Sequence, residues 1–223
     1  MVQSYEQDGV VLVKGLFKNY IEALRGGVAR IMQTPSPFGA ENLKDGEAGR
    51  FFDDYCNWHK ISEFKKTIFS SSVGFIASQL MKSNKVQLFH EHILVKEAGT
   101  SKPTPWHQDS PYYFIEGTQT ISFWSPMDKV TNASLRCVLG SHKWEKTVRP
   151  KKWLNEDDFY QNEQDFMDVP DPENDENMKI KEFPMDPGDA VAFDFRILHG
   201  ARGNTSKTQR RAFSLRLVGD DAR

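Results

Sequence analysis

His107 and Asp109 stand two residues apart in the run Pro103-Thr104-Pro105-Trp106-His107-Gln108-Asp109. On a β-strand, alternate residues point to the same side, so an imidazole and a carboxylate at this spacing converge on one point. They make two corners of a metal site. The third must come from elsewhere, and His199 supplies it, at the end of the apolar run Ala190 to Phe195. Two imidazoles and one carboxylate on one side of an iron leave the opposite side open, the arrangement of non-haem Fe(II) oxygenases. His90 and His92 are a rival pair, since both share one strand face, but no further ligand neighbours them in sequence. His142, in Leu139-Gly140-Ser141-His142, reads as a hydrogen-bonding residue of a turn.

Iron chemistry on dioxygen also needs an electron source. If that source is an α-keto acid chelated to the metal, its far carboxylate needs a partner. The planar fork of arginine suits that role, because it pairs with both oxygens at once. Arg210 lies eleven residues after His199, at the start of a strand. By alternation Phe213, Leu215 and Leu217 share a face with Arg211, while Ala212 and Ser214 share one with Arg210. The bulky face is expected in the core of a sandwich, and the small-residue face leaves room for a ligand. That selects Arg210 over Arg211.

The elements that would position these residues come in two halves. Gly9 to Gly15 reads as a short strand between glycines, and Phe17 to Met32 as a helix with Ile21, Leu24, Val28 and Ile31 on one face. Gly26-Gly27 sits inside that helix at a cost of ~1 kcal/mol per glycine. Residues 39 to 50 read as loop, and the aromatic run Arg50 to Trp58 as a packed corner or pocket rim. Glu63 to Met81 reads as helix, with Phe64, Ile68, Phe75, Ile76 and Leu80 as its stripe and a break at Ser70-Ser71-Ser72. From Val86 the texture changes to strands: 86 to 96, 121 to 124, 135 to 139, 190 to 195 and 211 to 218. Helices first and turn-punctuated strands second predict an α+β fold with an antiparallel sandwich or barrel. We expect a single domain over residues 1–223, with 1–85 mainly helical support and 86–223 the core. An acidic insertion, about 143–185, has little periodicity and is expected to be a mobile cover for the substrate mouth or a solvated loop.

Length and charge narrow the function classes. The chain has 223 residues, enough for a substantial core, and a net charge of -2 with no basic excess. Nucleic acid is therefore not expected as a partner. No apolar run approaches the ~20 residues that span a bilayer, and no signal peptide is evident. Cys56 and Cys137 show no paired spacing and read as reduced thiols of a cytoplasmic protein. Asn132-Ala133-Ser134 matches a glycosylation pattern that has no role without secretion.

The order and spacing of HILVKEAGTSKPTPWHQDSPYY, ISFWSPMDKVTNASLRCVLGSHKW, PGDAVAFDFRILHGARGNTS and RRAFSLR resemble the phytanoyl-CoA dioxygenase family of Fe(II)- and 2-oxoglutarate-dependent oxygenases. The likeness covers most of the chain and is strongest from His92 to Leu217. It implies a double-stranded β-helix (jelly-roll, cupin-like) core with N-terminal helices packed against it and the metal at its mouth. It implies iron on His107, Asp109 and His199, with Arg210 on the distal carboxylate of 2-oxoglutarate. Gln108, Trp124 and His92 match positions that line the co-substrate site. The activity implied is dioxygenase chemistry on a small organic substrate, with O2 consumed and succinate and CO2 released. Ala201 stands where some members carry a hydroxyl, with Thr120 or Ser122 as replacements, and Asn132-Ala133-Ser134 occupies a turn that often holds glycine. Asp109 argues against the halogenase variant. The rival readings are a non-catalytic jelly-roll that binds a metal or small ligand, and a cupin-like isomerase; the open iron face and Arg210 argue against the first, the histidine placement against the second.

Overall fold

The computed structural model describes residues 1–130, 135–155, 157–160 and 165–223. In chain order the strands are β1 Val10–Val13, β2 Ala40–Glu41, β3 Phe51–Tyr55, β4 Gln87–Lys96, β5 Thr104–His107, β6 Thr120–Pro126, β7 Leu135–Val138, β8 Thr147–Val148, β9 Phe166–Met167, β10 Ile180–Glu182, β11 Ala190–Phe193, β12 His199–Ala201 and β13 Arg210–Val218. The helices are α1 Val2–Asp8, α2 Ile21–Gln33, α3 Ser62–Ser70 and α4 Val73–Met81. A large sheet runs β1-β11-β6-β13-β4-β3-β2 and a smaller one β10-β7-β12-β5, with β8 and β9 paired separately. Every pairing inside the two larger sheets is antiparallel. This is the expected jelly-roll.

Alternation along β13 decides what each face of the large sheet does. Phe213, Leu215 and Leu217 pack with Ile93, Val95 and Phe123 against Leu24 and Val28 of α2, Phe64 of α3 and Leu80 of α4. The bulky face thus meets the helices, not the space between the sheets as the sequence suggested. An apolar layer on a sheet must be covered, and three helices supply the cover here. Burying each such side chain contributes roughly 1.5–3 kcal/mol. The opposite face, with Leu94, Trp124, Val191, Phe193 and Ala212, packs against Leu135 and Cys137 of the small sheet. The small residues of β13 therefore look into the cleft between the sheets.

The helices follow their apolar spacing. Ile21, Leu24, Val28 and Ile31 of α2 are all buried. Its Gly27 marks a close approach: a Cβ there would lie 2.6 Å from Phe64 Cε1. The glycine inside the helix is what lets α2 and α3 meet. The serine run splits the second helical stretch into α3 and α4, as expected, but Phe75 is 70% exposed and lies off the buried stripe. The run from Arg50 turns out to hold a strand, β3, that pairs with β4. Its two phenylalanines are buried, and Asp53, Tyr55 and Cys56 border a cavity, so packed corner and pocket rim are both realised. In the acidic segment, β10 pairs with β7 and residues 151–153 and 159 wall the same cavity. Residues 156 and 161–164 of that segment, and the turn at Asn132-Ala133-Ser134, lie outside the described residues. Among the described residues no helix is long and apolar enough to cross a membrane.

Candidate active site

His107 closes β5 and stands directly across from His199, the first residue of β12. The two imidazole centroids are 4.2 Å apart. Each ring is turned by a backbone carbonyl two residues back: His107 Nδ1 lies 2.8 Å from Pro105 O, and His199 Nδ1 lies 2.9 Å from Ile197 O. A carbonyl can only accept, so both Nδ1 atoms carry the proton and both Nε2 atoms keep a lone pair. Burial pushes the His107 pKa down to about 3 and lowers that of His199 as well, so both rings are neutral. Each Nε2 is 3.8 Å from Asp109 Oδ1.

Asp109 lies past the end of β5, at the head of a 3-10 turn spanning Ser110–Tyr112. Strand alternation alone does not bring it to the histidines. The turn does, anchored by the Asp109 and Ser110 N–H groups, which donate to Phe195 O at 2.8 and 3.0 Å. Ser122 Oγ donates to Asp109 Oδ2 at 2.7 Å, and Arg216 Nη2 lies 3.4 Å from Oδ2 and 3.5 Å from Oδ1. Burial raises the Asp109 pKa, but Arg216, joined by the two imidazoles once acid protonates them, outweighs it and holds the carboxyl below the usual range. Among the described residues, His107, Asp109 and His199 are the group of three with metal-ligating atoms all within 4.8 Å of one another. Two neutral nitrogen donors and one anionic oxygen, with the protons held on the far ring nitrogens, fit a divalent iron.

Arg210 opens β13, 5% exposed, directly across from Lys96 of β4. Its guanidinium lies 5.8 Å from the Trp124 ring centroid, and burial lowers its pKa to about 10. Lys96 is fully buried, its Nζ donating to Lys102 O at 2.9 Å and sitting 4.2 Å from the Phe51 ring centroid. Burial, then the neighbouring Arg210, push its pKa down to about 6. Arg211 faces the other way and forms a bidentate pair with Asp128 at 2.6 and 3.0 Å.

The remaining sequence candidates separate. Trp124 lies on the inward face with Arg210. His92 borders the cavity beside His107; its Nε2 meets Asp53 Oδ2 at 2.7 Å and its ring stacks on Trp153. Gln108 is buried, and its amide is bound to backbone groups. Its Nε2 donates to Arg196 O at 2.6 Å and its Oε1 accepts from Val148 N at 2.7 Å, which ties one donor and the carbonyl of the amide to the scaffold. Ser122 is engaged with Asp109, and Thr120 Oγ1 is buried with no partner among the described residues. His90 and His92 do share a face, and both border the cavity. That cavity, about 660 Å³, runs from the surface to His107 and Asp109 between Tyr55, Phe89, Tyr113 and Trp153. Arg216 at its floor was missed from sequence, although it lies on the same alternating face as Arg210, Ala212 and Ser214.

A jelly-roll with a buried two-histidine, one-carboxylate group at its mouth defines a class: the mononuclear iron oxygenases of the cupin-like fold. The sequence matches the phytanoyl-CoA dioxygenase (PhyH) family over residues 5–212. The chain belongs to that family and is an iron- and 2-oxoglutarate-dependent oxygenase. No curated protein matches it significantly. Among solved structures, it is similar to the α-ketoglutarate-dependent carbocyclase SnoK from nogalamycin biosynthesis, at 20% identity and TM-score 0.77, over 99% of this chain and 83% of that one. The epimerase SnoN in complex with Fe3+, α-ketoglutarate and nogalamycin RO matches at 17% identity and TM-score 0.77, over 99% and 83%. EctD from S. alaskensis with 2-oxoglutarate and 5-hydroxyectoine matches at 16% identity and TM-score 0.72, over 98% and 74%.

Proposed function

We propose that His107, Asp109 and His199 are the iron ligands, that Arg210 pairs with the distal carboxylate of 2-oxoglutarate beside Trp124, and that the outcome is hydroxylation of a small organic substrate held in the cavity. The reading places the whole of residues 1–223 in one catalytic domain of a cytoplasmic enzyme without a nucleic-acid partner. The observation that carries it is the pair of Nδ1–carbonyl bonds, which point both Nε2 lone pairs toward Asp109 Oδ1.

Iron held by His107, Asp109 and His199, with 2-oxoglutarate on Arg210, would supply the oxidation: one oxygen atom of dioxygen would leave in succinate, CO2 would be released, and the other oxygen atom would go to a substrate C–H bond. The protein contributes placement. The backbone carbonyls of Pro105 and Ile197 fix the imidazoles, and Ser122 and Arg216 fix the carboxylate. Arg210, already desolvated in the fold, meets an anion without a further loss of hydration. The aromatic walls keep water from the reacting face. Oxygen uptake with Fe(II) and 2-oxoglutarate, followed by succinate, tests the reading. Turnover that survives Asp109→Ala would reject the ligand assignment.

A further inference from the structure

Most polar groups on the cavity wall are engaged. Asp109 is held by Ser122 and Arg216, and the Tyr112 hydroxyl donates to Lys151 O at 2.7 Å. Asp53 accepts from Asn42 at one oxygen and meets His92 Nε2 at the other, at 2.7 Å. A carboxylate can only accept, so the proton of the neutral His92 ring sits on Nε2 and Nδ1 keeps a lone pair. That Nδ1 has no hydrogen-bond partner among the described residues, and it is not among their sealed polar atoms. The His92 side chain is 12% exposed and borders the cavity, so the lone pair is open to it. His90, two residues back on the same strand face, repeats the pattern. Its Nδ1 lies 3.2 Å from Glu91 O, and burial, then Arg216, push its pKa down to about 3, so the ring is neutral with its lone pair on Nε2. This wall therefore offers acceptors, and a bound molecule that leaves them unpaired binds less well.

Charge decides which donor fits. Lys151 and Lys152 stand exposed at the mouth and Arg216 is a cation at the floor, so an ammonium would meet repulsion that a hydroxyl would not. Shape decides the body of the molecule. Phe89 and His90 meet Tyr113 edge-on at 5.1 and 5.2 Å, and Phe38 stacks on Tyr55 at 4.9 Å. At the mouth, Phe38, Phe114 and Phe159 are 50%, 89% and 46% exposed, a concentration of exposed aromatic surface that marks a recognition site. Flat walls of this kind pair with flat rings, stacked or edge-on. Resting on the metal assignment above, we propose that His92, held by Asp53, selects the substrate, and that the substrate is an uncharged ring-bearing alcohol or phenol whose hydroxyl donates to His92 Nδ1. Trp153 ties that position to the metal side: its ring centroid is 6.1 Å from that of His92, nearly parallel, and 5.3 Å from that of His107. A ring held by its hydroxyl at His92 lies beside His107, so the carbons near that hydroxyl are the ones expected to be oxidised.

The test measures binding of 2-naphthol and of its methyl ether, 2-methoxynaphthalene, by calorimetry on the full chain, with and without Zn(II) and 2-oxoglutarate. The ether keeps the rings and the oxygen but cannot donate. The expected result is a preference for 2-naphthol of at least about fivefold in the parent, in both states, because Asp53 and His92 are already paired in the fold. His92→Gln, whose amide can donate to Asp53 and accept from the ligand, keeps the preference, and His92→Phe abolishes it. The 15N spectrum of the parent at pH 8 is expected to show His92 protonated at Nε2 alone. No preference in the parent overturns the proposal without recourse to any variant. So does a preference undiminished in His92→Phe, or a His92 proton on Nδ1. Loss of 2-oxoglutarate affinity in His92→Phe with the hydroxyl preference intact would give His92 to the co-substrate instead. A hydroxyl preference in a parent that takes up neither Zn(II) nor 2-oxoglutarate supports the assignment of His92 and rejects the metal reading.

Discussion

Arg210→Met removes a buried cation and keeps a straight apolar stem, so it separates the cost of Arg210 from its use. Burial alone moves the Arg210 pKa from 12.5 to about 10. A change of roughly 2.5 units corresponds to ~3 kcal/mol at most, desolvation that the folded protein already carries. The folded pKa is depressed, so the corresponding stability is present above pH 12.5 and lost as pH falls through 10. At neutral pH the whole cost is in force and does not vary with pH. The variant without metal or co-substrate should therefore be more stable than the parent in urea. Binding should move the other way. A distal carboxylate buried without its partner loses about 3–5 kcal/mol, roughly 150- to 5,000-fold in affinity. Lys96, directly across from Arg210, places the result toward the lower end. Arg211→Met should leave 2-oxoglutarate affinity nearly unchanged and lose only the pair with Asp128, worth at most ~1 kcal/mol. Calorimetric titration of 2-oxoglutarate at fixed Mn(II), with urea melts of the same samples, reads both quantities. If Arg210→Met binds like the parent, or Arg211→Met is the variant that loses binding, the co-substrate assignment is wrong.

Burial raises the pKa of Glu91, which lies behind the cavity wall, to about 7, so it favours the folded state fully only below its ordinary 4.5 and loses that contribution as pH rises through 7. Glu91→Gln should flatten the fall in stability between about pH 5 and pH 8 by up to ~3 kcal/mol; parallel denaturation curves for parent and variant would refute this. Ser122→Ala removes the 2.7 Å bond to Asp109 and should weaken metal binding by roughly tenfold or more at unchanged stoichiometry, and an unaltered affinity would remove Ser122 from the account. In Gly203→Ala the new Cβ would stand 2.1 Å from Ser101 O, on the loop between His199 and Arg210. Thermal unfolding should show a loss of ~1–3 kcal/mol, and no loss would mean that this loop yields more easily than its contacts imply.

Two strands beside the site were legible from their alternation, while β5 and β12, which carry His107 and His199, were not among the expected strands. β4 and β13 read directly, and the small-residue face of β13 singled out Arg210, which does face inward. The same alternation reaches Arg216, six residues on, but a second arginine has no reading until a cavity is seen in front of it. β3 was illegible because Phe51-Phe52-Asp53-Asp54 carries no polar–apolar alternation. Its aspartates are buried by bonds to distant residues, Asp53 to Asn42 and His92 and Asp54 to Ser36, with Asn57 adding a local bond to Asp54. The H-x-D spacing brought together residues that do cluster with His199, but for an incomplete reason, since a 3-10 turn anchored on Phe195 O aims Asp109. Gln108 was read as a co-substrate neighbour, yet its partners Arg196 and Val148 lie far along the chain and could not be inferred from spacing. Phe75 fits a helical stripe by periodicity but falls on the solvent side, because α3 and α4 are separate helices with independent faces.

A crystal grown with Mn(II) and 2-oxoglutarate, read by anomalous scattering, tests the central claim most directly. The account predicts a single metal peak bounded by His107 Nε2, His199 Nε2 and Asp109 Oδ1, with the distal carboxylate of 2-oxoglutarate on Arg210. A peak at His90 and His92, coordination through either Nδ1, or 2-oxoglutarate anchored away from Arg210 would contradict it.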